Sequence, residues 1–288
     1  MDLKKAFMKF APPRGDTEAI RQILVNDYIQ KHLFENPKYQ DEKKLNKYEY
    51  QVYSQNGEDG IIQEIFKRIG ATNKFFVEFG VGNGLECNTL LLLLKNWKGC
   101  WIDGSDRDID FIKQKFNFLI NKGLSVTKSF ITAENIEALF SSLKVPEELD
   151  LLSIDIDGND YWVWKAISHY RPRVVVIEYN GMFPPPIEFI VDYDANRTWA
   201  GKSHFGASIK SLEILGKKKG YKLVGCNFTG LNSFFVREDL VKDNFLQPFT
   251  AESHYEPSRY FLWTRVGHER DFDKFVTDGD SSPTRSRE

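Results

Sequence analysis

Lys74-Phe75-Phe76-Val77-Glu78-Phe79, followed at once by Gly80-Val81-Gly82-Asn83-Gly84, is the stretch on which the fold turns. A short β-rich run that ends in a glycine bend and returns to a helical pattern is the opening of a βαβ unit. Glycines at 80, 82 and 84 let the backbone turn sharply and come close to a ligand without side chains in the way. An ordinary glycine-rich turn between strand and helix has the same look, so the bend acquires meaning from its surroundings.

Outward from the bend the pattern is regular. Glu58 to Ile69 fits a helix, with Ile61, Ile62, Ile65, Phe66 and Ile69 on one side and Gly70 as its stop. After the bend, helices are predicted over 86–94, 108–119, 136–143, 161–167 and 209–219. Between them run apolar strands over 100–103, 125–131, 149–156 and 173–179. Strands this apolar, alternating with short helices, indicate an α/β fold, a mainly parallel sheet covered on both faces. A final pair, Tyr221 to Cys226 and Ser233 to Val236, is separated by only a few residues and must be antiparallel, since a parallel pair needs a longer crossover.

Three further segments frame this unit. Residues 1–50 read as a helical or irregular preface broken at Pro12-Pro13, with one or two helices over 15–34. Residues 181–207 form a long insertion whose Pro184-Pro185-Pro186 resists regular structure. Residues 246–288 form a C-terminal extension in which Tyr260 to Thr264 packs or adds an edge, and 277–288 fray. The main domain is thus expected over 51–245.

The bulk numbers agree with one domain carrying elaborations. The chain has 288 residues, 41% of them hydrophobic, which is enough to build a core. Lysine and arginine number 39 against 41 aspartate and glutamate, so no global field draws the protein to nucleic acid or to an anionic surface. Trp162 and Trp164 alone do not make a base-stacking platform. Lys217-Lys218-Lys219 reads as a solvated helix end. Cys87, Cys100 and Cys226 lack metal spacing, and their odd number argues against a complete disulfide set; a reducing, cytoplasmic setting is expected. The N-terminus lacks a signal peptide's apolar stretch. The most apolar run, Leu90 to Leu94, is far below the roughly 20 residues that span a bilayer.

Two acids give the bend its meaning. Glu78 lies just before the glycines, where it can contact the amino-acid end of a ligand through a bridging group. Asp103 ends the second strand, where an acid can accept both hydrogen bonds of a ribose diol. The bend lacks the Gly-Lys-Ser/Thr ending of a phosphate loop and departs from the GxGxxG spacing of dinucleotide proteins.

With these features the chain resembles the class I S-adenosylmethionine-dependent methyltransferases, and within them the FkbM-like group. The resemblance is carried by Ser54-Gln55-Asn56-Gly57-Glu58-Asp59-Gly60, Val77 to Gly84, Trp101-Ile102-Asp103-Gly104, Leu151 to Gly158, Val175 to Tyr179, and Gly230-Leu231-Asn232-Ser233-Phe234-Phe235-Val236. It covers approximately residues 50–238. It implies a Rossmann-like sheet of seven strands, the last antiparallel, and S-adenosyl-L-methionine as cofactor. Glu78, Gly80 and Gly82 would surround the cofactor's methionine part, and Asp103 its ribose. Thr132, Ala133 and Glu134 would lie near the adenine, with Gln55 and Asp59 close by. Members of the group commonly methylate hydroxyls of sugars, polyketides or other metabolites. Asp103 is followed here by Gly104-Ser105 where many relatives carry proline, and the 181–207 insertion looks individual.

A hydroxyl acceptor must lose its proton, which calls for a base or a metal. Asp155-Ile156-Asp157-Gly158-Asn159-Asp160 closes the fourth strand at the sheet edge where ligands bind in this architecture. Asp155 and Asp157 share one face of an extended segment, and Glu178 and Asn180 form a second polar pair after the fifth strand. If these ends meet, Asp155, Asp157, Glu178 and Asn180 would suit Mg2+ or another hard divalent cation, a layout similar to metal-assisted O-methyltransferases. Alternatively Asp157 and Asp160 cap the following helix. Without a metal, His204 is the candidate base; His169 and His254 have weaker context. Glu178, Tyr179, Asn180 and Tyr193 are expected around the acceptor, and Asn232 at a turn or pocket edge. The expected partner is therefore a small-molecule or saccharide acceptor, with neither nucleic acid nor an integral membrane, and a homo-oligomer open. N-methylation, a non-catalytic adenosyl-binding scaffold and a dinucleotide oxidoreductase are the competing readings.

Overall fold

In the computed structural model the described residues are 14–120, 122–199 and 201–262. The Pro12-Pro13 break, Trp263 and Thr264 of the expected packing segment, and the fraying expected over 277–288 lie outside them.

Seven strands form one sheet: β1 Phe75–Phe79, β2 Lys98–Asp103, β3 Leu124–Lys128, β4 Leu151–Ile154, β5 Val174–Glu178, β6 Tyr221–Cys226 and β7 Asn232–Arg237. Their order is β3-β2-β1-β4-β5-β7-β6. The pairs from β3 through β5 are parallel, while β7 runs antiparallel to both β5 and β6. This is the Rossmann-like α/β sheet expected above, with its last strand reversed. Chain order doubles back at β1, so β1 and β4 emerge side by side with their carboxyl ends open, the switch point at which such sheets bind ligands.

Side-chain alternation splits the core into two layers. Val77 and Phe79 of β1, Leu152 and Ile154 of β4, and Val175 and Ile177 of β5 pack on one face. Phe76, Leu151, Val174 and Val176 pack on the other. Successive strand residues point to opposite faces, so apolar residues at nearly every strand position require helices on both sides. The same parity places Glu78, Ser153 and Glu178 on the face of the second layer.

Two helices differ from expectation for visible reasons. The segment predicted over 86–94 is helical only at Leu90–Leu94. The Glu78 carboxylate accepts hydrogen bonds from the N–H groups of Asn88 (2.7 Å) and Thr89 (3.0 Å), which holds that stretch around the acid rather than in a helix. The segment predicted over 108–119 begins earlier and breaks in two, Asp106–Lys115 and Asn117–Ile120. Ser105 caps the first piece by accepting from Asp108 N–H at 3.3 Å.

The flanking segments join the same body. Leu45 is fully buried in the second core layer, and Asn46 Nδ2 donates to the Cys226 carbonyl at 2.8 Å. Buried Glu256 accepts from Tyr39 OH at 2.7 Å and from Arg259 at 3.0 Å. The insertion carries one isolated bridge, Ile190 to Ala207, among its described residues. It is fastened by Trp162 Nε1 donating to the Val191 carbonyl and by Asn159 Nδ2 donating to the Asp194 carbonyl, each at 2.8 Å. Cys87, Cys100 and Cys226 are free and buried. No described helix is long and apolar enough to cross a membrane.

Candidate active site

Two adjoining cavities of ≈ 440 Å³ and ≈ 560 Å³ open at the carboxyl ends of β1, β2 and β4. They share Gly80, Gly82, Asp155, Asp157 and Trp199 and together make one cleft.

The three glycines of the bend do different work. All have positive φ, which L side chains resist. A Cβ at Gly80 would lie 1.6 Å from the Asp155 backbone oxygen, so this glycine lets the β1 and β4 ends touch. A Cβ at Gly84 would meet the Trp101 ring at 2.8 Å, a packing requirement. At Gly82 it would meet nothing within 4 Å; there the backbone lies bare to the cavity.

Asp103 faces this bend. Its Oδ2 accepts from Gly82 N–H at 2.9 Å and its Oδ1 from Ser105 N–H at 2.8 Å. It lines the cleft beside Gly80 and Gly82. Glu78 is buried, and its bonds to Asn88 and Thr89 organise a stretch whose Asn88 and Glu86 line the cleft. Burial pushes its carboxyl up to about 7.

A second group of acids faces the bend from β4 and β5. Asp155, Asp157 and Glu178 each offer a carboxylate oxygen, all lying within 4.8 Å of one another. Burial raises Asp155 and Glu178 well above the ordinary carboxylate range, and the mutual charges of the cluster add to it. Asp157 is raised less, by desolvation and then by the charge of Asp103. Glu178 Oε2 is buried with no hydrogen-bond partner. Asp157 does not reach the group by strand alternation, because its φ is +57°; a left-handed turn brings it in. Asp160 caps that turn, accepting from Ile156 N–H at 2.8 Å and Gly158 N–H at 2.9 Å.

Other expected site residues sit elsewhere. Tyr179 follows Glu178 and so points to the opposite face, where it is fully buried and donates to the Glu256 carbonyl at 2.5 Å. Asn180 is buried too; its amide donates to the carbonyls of Ser203 and Phe205 and its oxygen accepts from Met182 N–H, so it ties down the insertion rather than completing a cation site. Asp59 spends one oxygen on the N–H groups of Val52, Tyr53 and Ser54, building the loop before its helix. Tyr193 OH donates to Glu134 and accepts from Ala133 N–H, while Thr132 N–H is taken by Asn135. That cluster lies beyond the cleft wall, which is lined instead by Ser129, Phe130 and Ile131. His204 is exposed, stands edge-on to Phe189 at 5.4 Å, and lines neither cavity. His169 is exposed and faces Glu147 at 3.1 Å, and burial lowers His254 to about 4. Gln55 does line the cleft. Asn232 is buried, its amide donating to Glu58 at 2.8 Å.

Sequence reasoning missed three contributors. Phe130 and Trp199 present rings that are 46% and 59% exposed at the cleft. Arg197 also lines it, the one cation among its described lining residues. Arg197 and Trp199 lie where no periodic pattern marks side-chain direction, and Phe130 falls past the end of a strand that was expected over 125–131 but stops at Lys128.

No family model and no curated protein matches the chain. Solved structures with a similar course include magnesium protoporphyrin IX methyltransferase from Synechocystis PCC 6803 with bound S-adenosylmethionine, at 12% identity over 75% of this chain and 97% of that one, TM-score 0.42. An S-adenosylmethionine-dependent methyltransferase from Clostridium acetobutylicum ATCC 824 is similar at 12% identity over 62% and 90%, TM-score 0.41. The N-terminal domain of EvdMO1 with bound S-adenosylhomocysteine is similar at 12% identity over 65% and 80%, TM-score 0.41. The likeness is distant in identity and in TM-score alike.

Proposed function

We propose that this chain is an FkbM-like enzyme that transfers a methyl group from S-adenosylmethionine to an oxygen of a small polar acceptor, a saccharide or metabolite hydroxyl, in a reducing cytoplasmic setting. The observation that carries the reading is the Asp103 carboxylate held against Gly82 N–H at the mouth of an open cleft. An acid there suits a ribose diol, and the bare backbone at Gly82 suits a ligand lying along it. The charge of the cleft supports the same choice. Glu78, Glu86, Asp103, Asp108, Asp155, Asp157 and Glu178 line it, against a single arginine among the described residues. Such a field favours a cationic sulfonium and opposes the anionic pyrophosphate of a dinucleotide. The exposed rings of Phe130 and Trp199 offer flat apolar surface for a purine.

The sulfonium supplies an already activated methyl group, so the protein's work is alignment and removal of the acceptor's proton. Carboxylates with raised proton affinity, as burial gives Asp155 and Glu178, suit the role of base toward a hydroxyl. A second reading adds a divalent cation, favoured by the unpartnered Glu178 Oε2. Asp155, Asp157 and Glu178 would hold it, and it would lower the acceptor's pKa. No role as base is retained for His204.

Calorimetry with S-adenosylmethionine, S-adenosylhomocysteine and NAD, on wild type and Asp103→Ala, tests the reading. The sulfur nucleosides are expected to bind, NAD not, and the substitution to weaken binding at least 100-fold. NAD binding of equal strength would overturn the assignment.

A further inference from the structure

A third cavity, of ≈ 200 Å³, lies outside the cleft and shares only Gln55 with it. Segments distant in sequence build it, among them the helical stretch through Phe34 and Leu262 near the end of the described residues. The helix Arg14–Tyr28 contributes Gln22 and Asn26, the chain before Glu58 contributes Glu49 to Gly57, and the β6–β7 connection contributes Phe228 and Thr229.

Its chemistry is one-sided. Among the described residues no lysine, arginine or histidine lines it. Three lining residues carry buried oxygens with no hydrogen-bond partner: Gln22 Oε1, Asn56 Oδ1 and Thr229 Oγ1. Asn56 and Thr229 are 7% and 4% exposed, so water does not readily compensate them. Gln22 Nε2 donates to Asn26 Oδ1 at 2.9 Å, and Asn56 Nδ2 donates to Gln55 Oε1 at 3.3 Å, so each amide has one end engaged and one end over. Glu49 adds a carboxylate with one oxygen accepting from Phe228 N–H at 2.7 Å. The rings of Phe34, Tyr50 and Phe228 complete the wall. The wall therefore has hydrogen-bonding capacity to spare, and its one charged group, Glu49, calls for a donor. Carboxylate and aromatic faces together are the surroundings that stabilise an organic cation.

We infer that this cavity is a second ligand site that binds a small organic molecule through a primary ammonium group, seated between Glu49 and the aromatic wall with its N–H donors toward Asn56 and Thr229. Burial lifts Glu49 well above the ordinary carboxylate range, Glu58 and Glu256 add to the effect, and the hydrogen bond from Phe228 N–H and the charge of Arg259 only partly oppose it; an ammonium in the cavity would supply a direct counter-charge. The site does not depend on methyl transfer.

The full-length chain is titrated with ethanolamine, cyclohexylamine and glucosamine, each beside its neutral counterpart: ethylene glycol, cyclohexanol or glucose. At least one amine is expected to bind 10-fold or more tightly than its alcohol. Glu49→Gln should erase that preference and leave S-adenosylhomocysteine affinity unchanged. Thr229→Val, a shape-conserving change on a different segment, should weaken the same amine at least threefold. The inference is overturned if no amine outbinds its alcohol, or if the preference survives in Glu49→Gln. Amine preference without any binding of S-adenosylhomocysteine would sink the methyl-transfer reading and leave this one standing.

Discussion

Gly80 and Gly82 are two residues apart in one bend, share positive φ, and should nevertheless fail in opposite ways when a methyl group is added. Alanine at either position adopts a left-handed conformation at a cost of roughly 1–2 kcal/mol. At Gly82 nothing lies within 4 Å of the new Cβ, so that strain is the whole folding penalty. At about 2–4 °C per kcal/mol for a domain of this size, Gly82→Ala should melt only a few degrees below wild type. Its methyl group stands in the cleft, and S-adenosylhomocysteine should bind at least 10-fold more weakly, a loss of about 1.4 kcal/mol or more. At Gly80 the new Cβ meets the Asp155 backbone oxygen at 1.6 Å, and neither partner is a flexible side chain. The β1 and β4 ends must then part by more than about an ångström, a backbone disruption in the class that exceeds about 4 kcal/mol. Gly80→Ala should be largely insoluble or melt more than about 8 °C below wild type. Thermal unfolding and calorimetry on both variants measure this. Equal melting temperatures, or undiminished nucleoside binding by Gly82→Ala, would refute the division of labour drawn from the bend.

Other outcomes follow from the acids. Glu178→Gln removes a buried carboxyl whose ionisation burial and the neighbouring acids oppose, so the unliganded protein should melt about 2–4 °C higher while turnover falls at least 100-fold; a lower melting temperature with normal turnover would contradict it. Glu78 binds its proton more tightly when folded, up to about 7, than when unfolded, so its contribution to stability is intact at pH 4 and is lost as pH rises toward 7 and above. The loss amounts to about 3 kcal/mol at most, and Glu78→Gln should flatten the melting temperature between pH 5 and 8 relative to wild type. If a cation sits among Asp155, Asp157 and Glu178, stringent chelation should abolish turnover and Mg2+ restore it; full turnover after chelation leaves the carboxylates as the base. Trp199→Ala should weaken S-adenosylhomocysteine about 10-fold with an unchanged melting temperature, since its ring is 59% exposed, and calorimetry beside a melt separates the two effects.

The sheet was legible because parity and length speak locally. Runs such as Val174 to Ile177 are apolar at every position, and the short link between β6 and β7 permits one pairing sense. Asp103 and the bend were legible because a strand end fixes where its last residue lies. The convergence of Asp155 with Glu178 follows from the β4–β5 register, Ile154 beside Ile177. Legibility ended where the chain leaves the strands. Tyr179 and Asn180 were expected at the acceptor, but parity sends the first to the opposite face, and the insertion claims the second through its own unpaired carbonyls. His204 and Tyr193 sit on irregular backbone, where residue type says nothing about direction. Trp199 was invisible for the same reason, and Phe130 because β3 stops at Lys128, short of the 125–131 expected.

The contact between Gly80 and the Asp155 carbonyl has a consequence for how this protein can vary. It welds the floor of the bend to the base of the acid cluster, leaving no slack for even one carbon atom. The spacing between the two halves of the cleft is thus a fixed gauge, set by main chain alone. Changes in what the protein accepts must come from the insertion and the outer walls, because altering that gauge would unfasten the sheet itself.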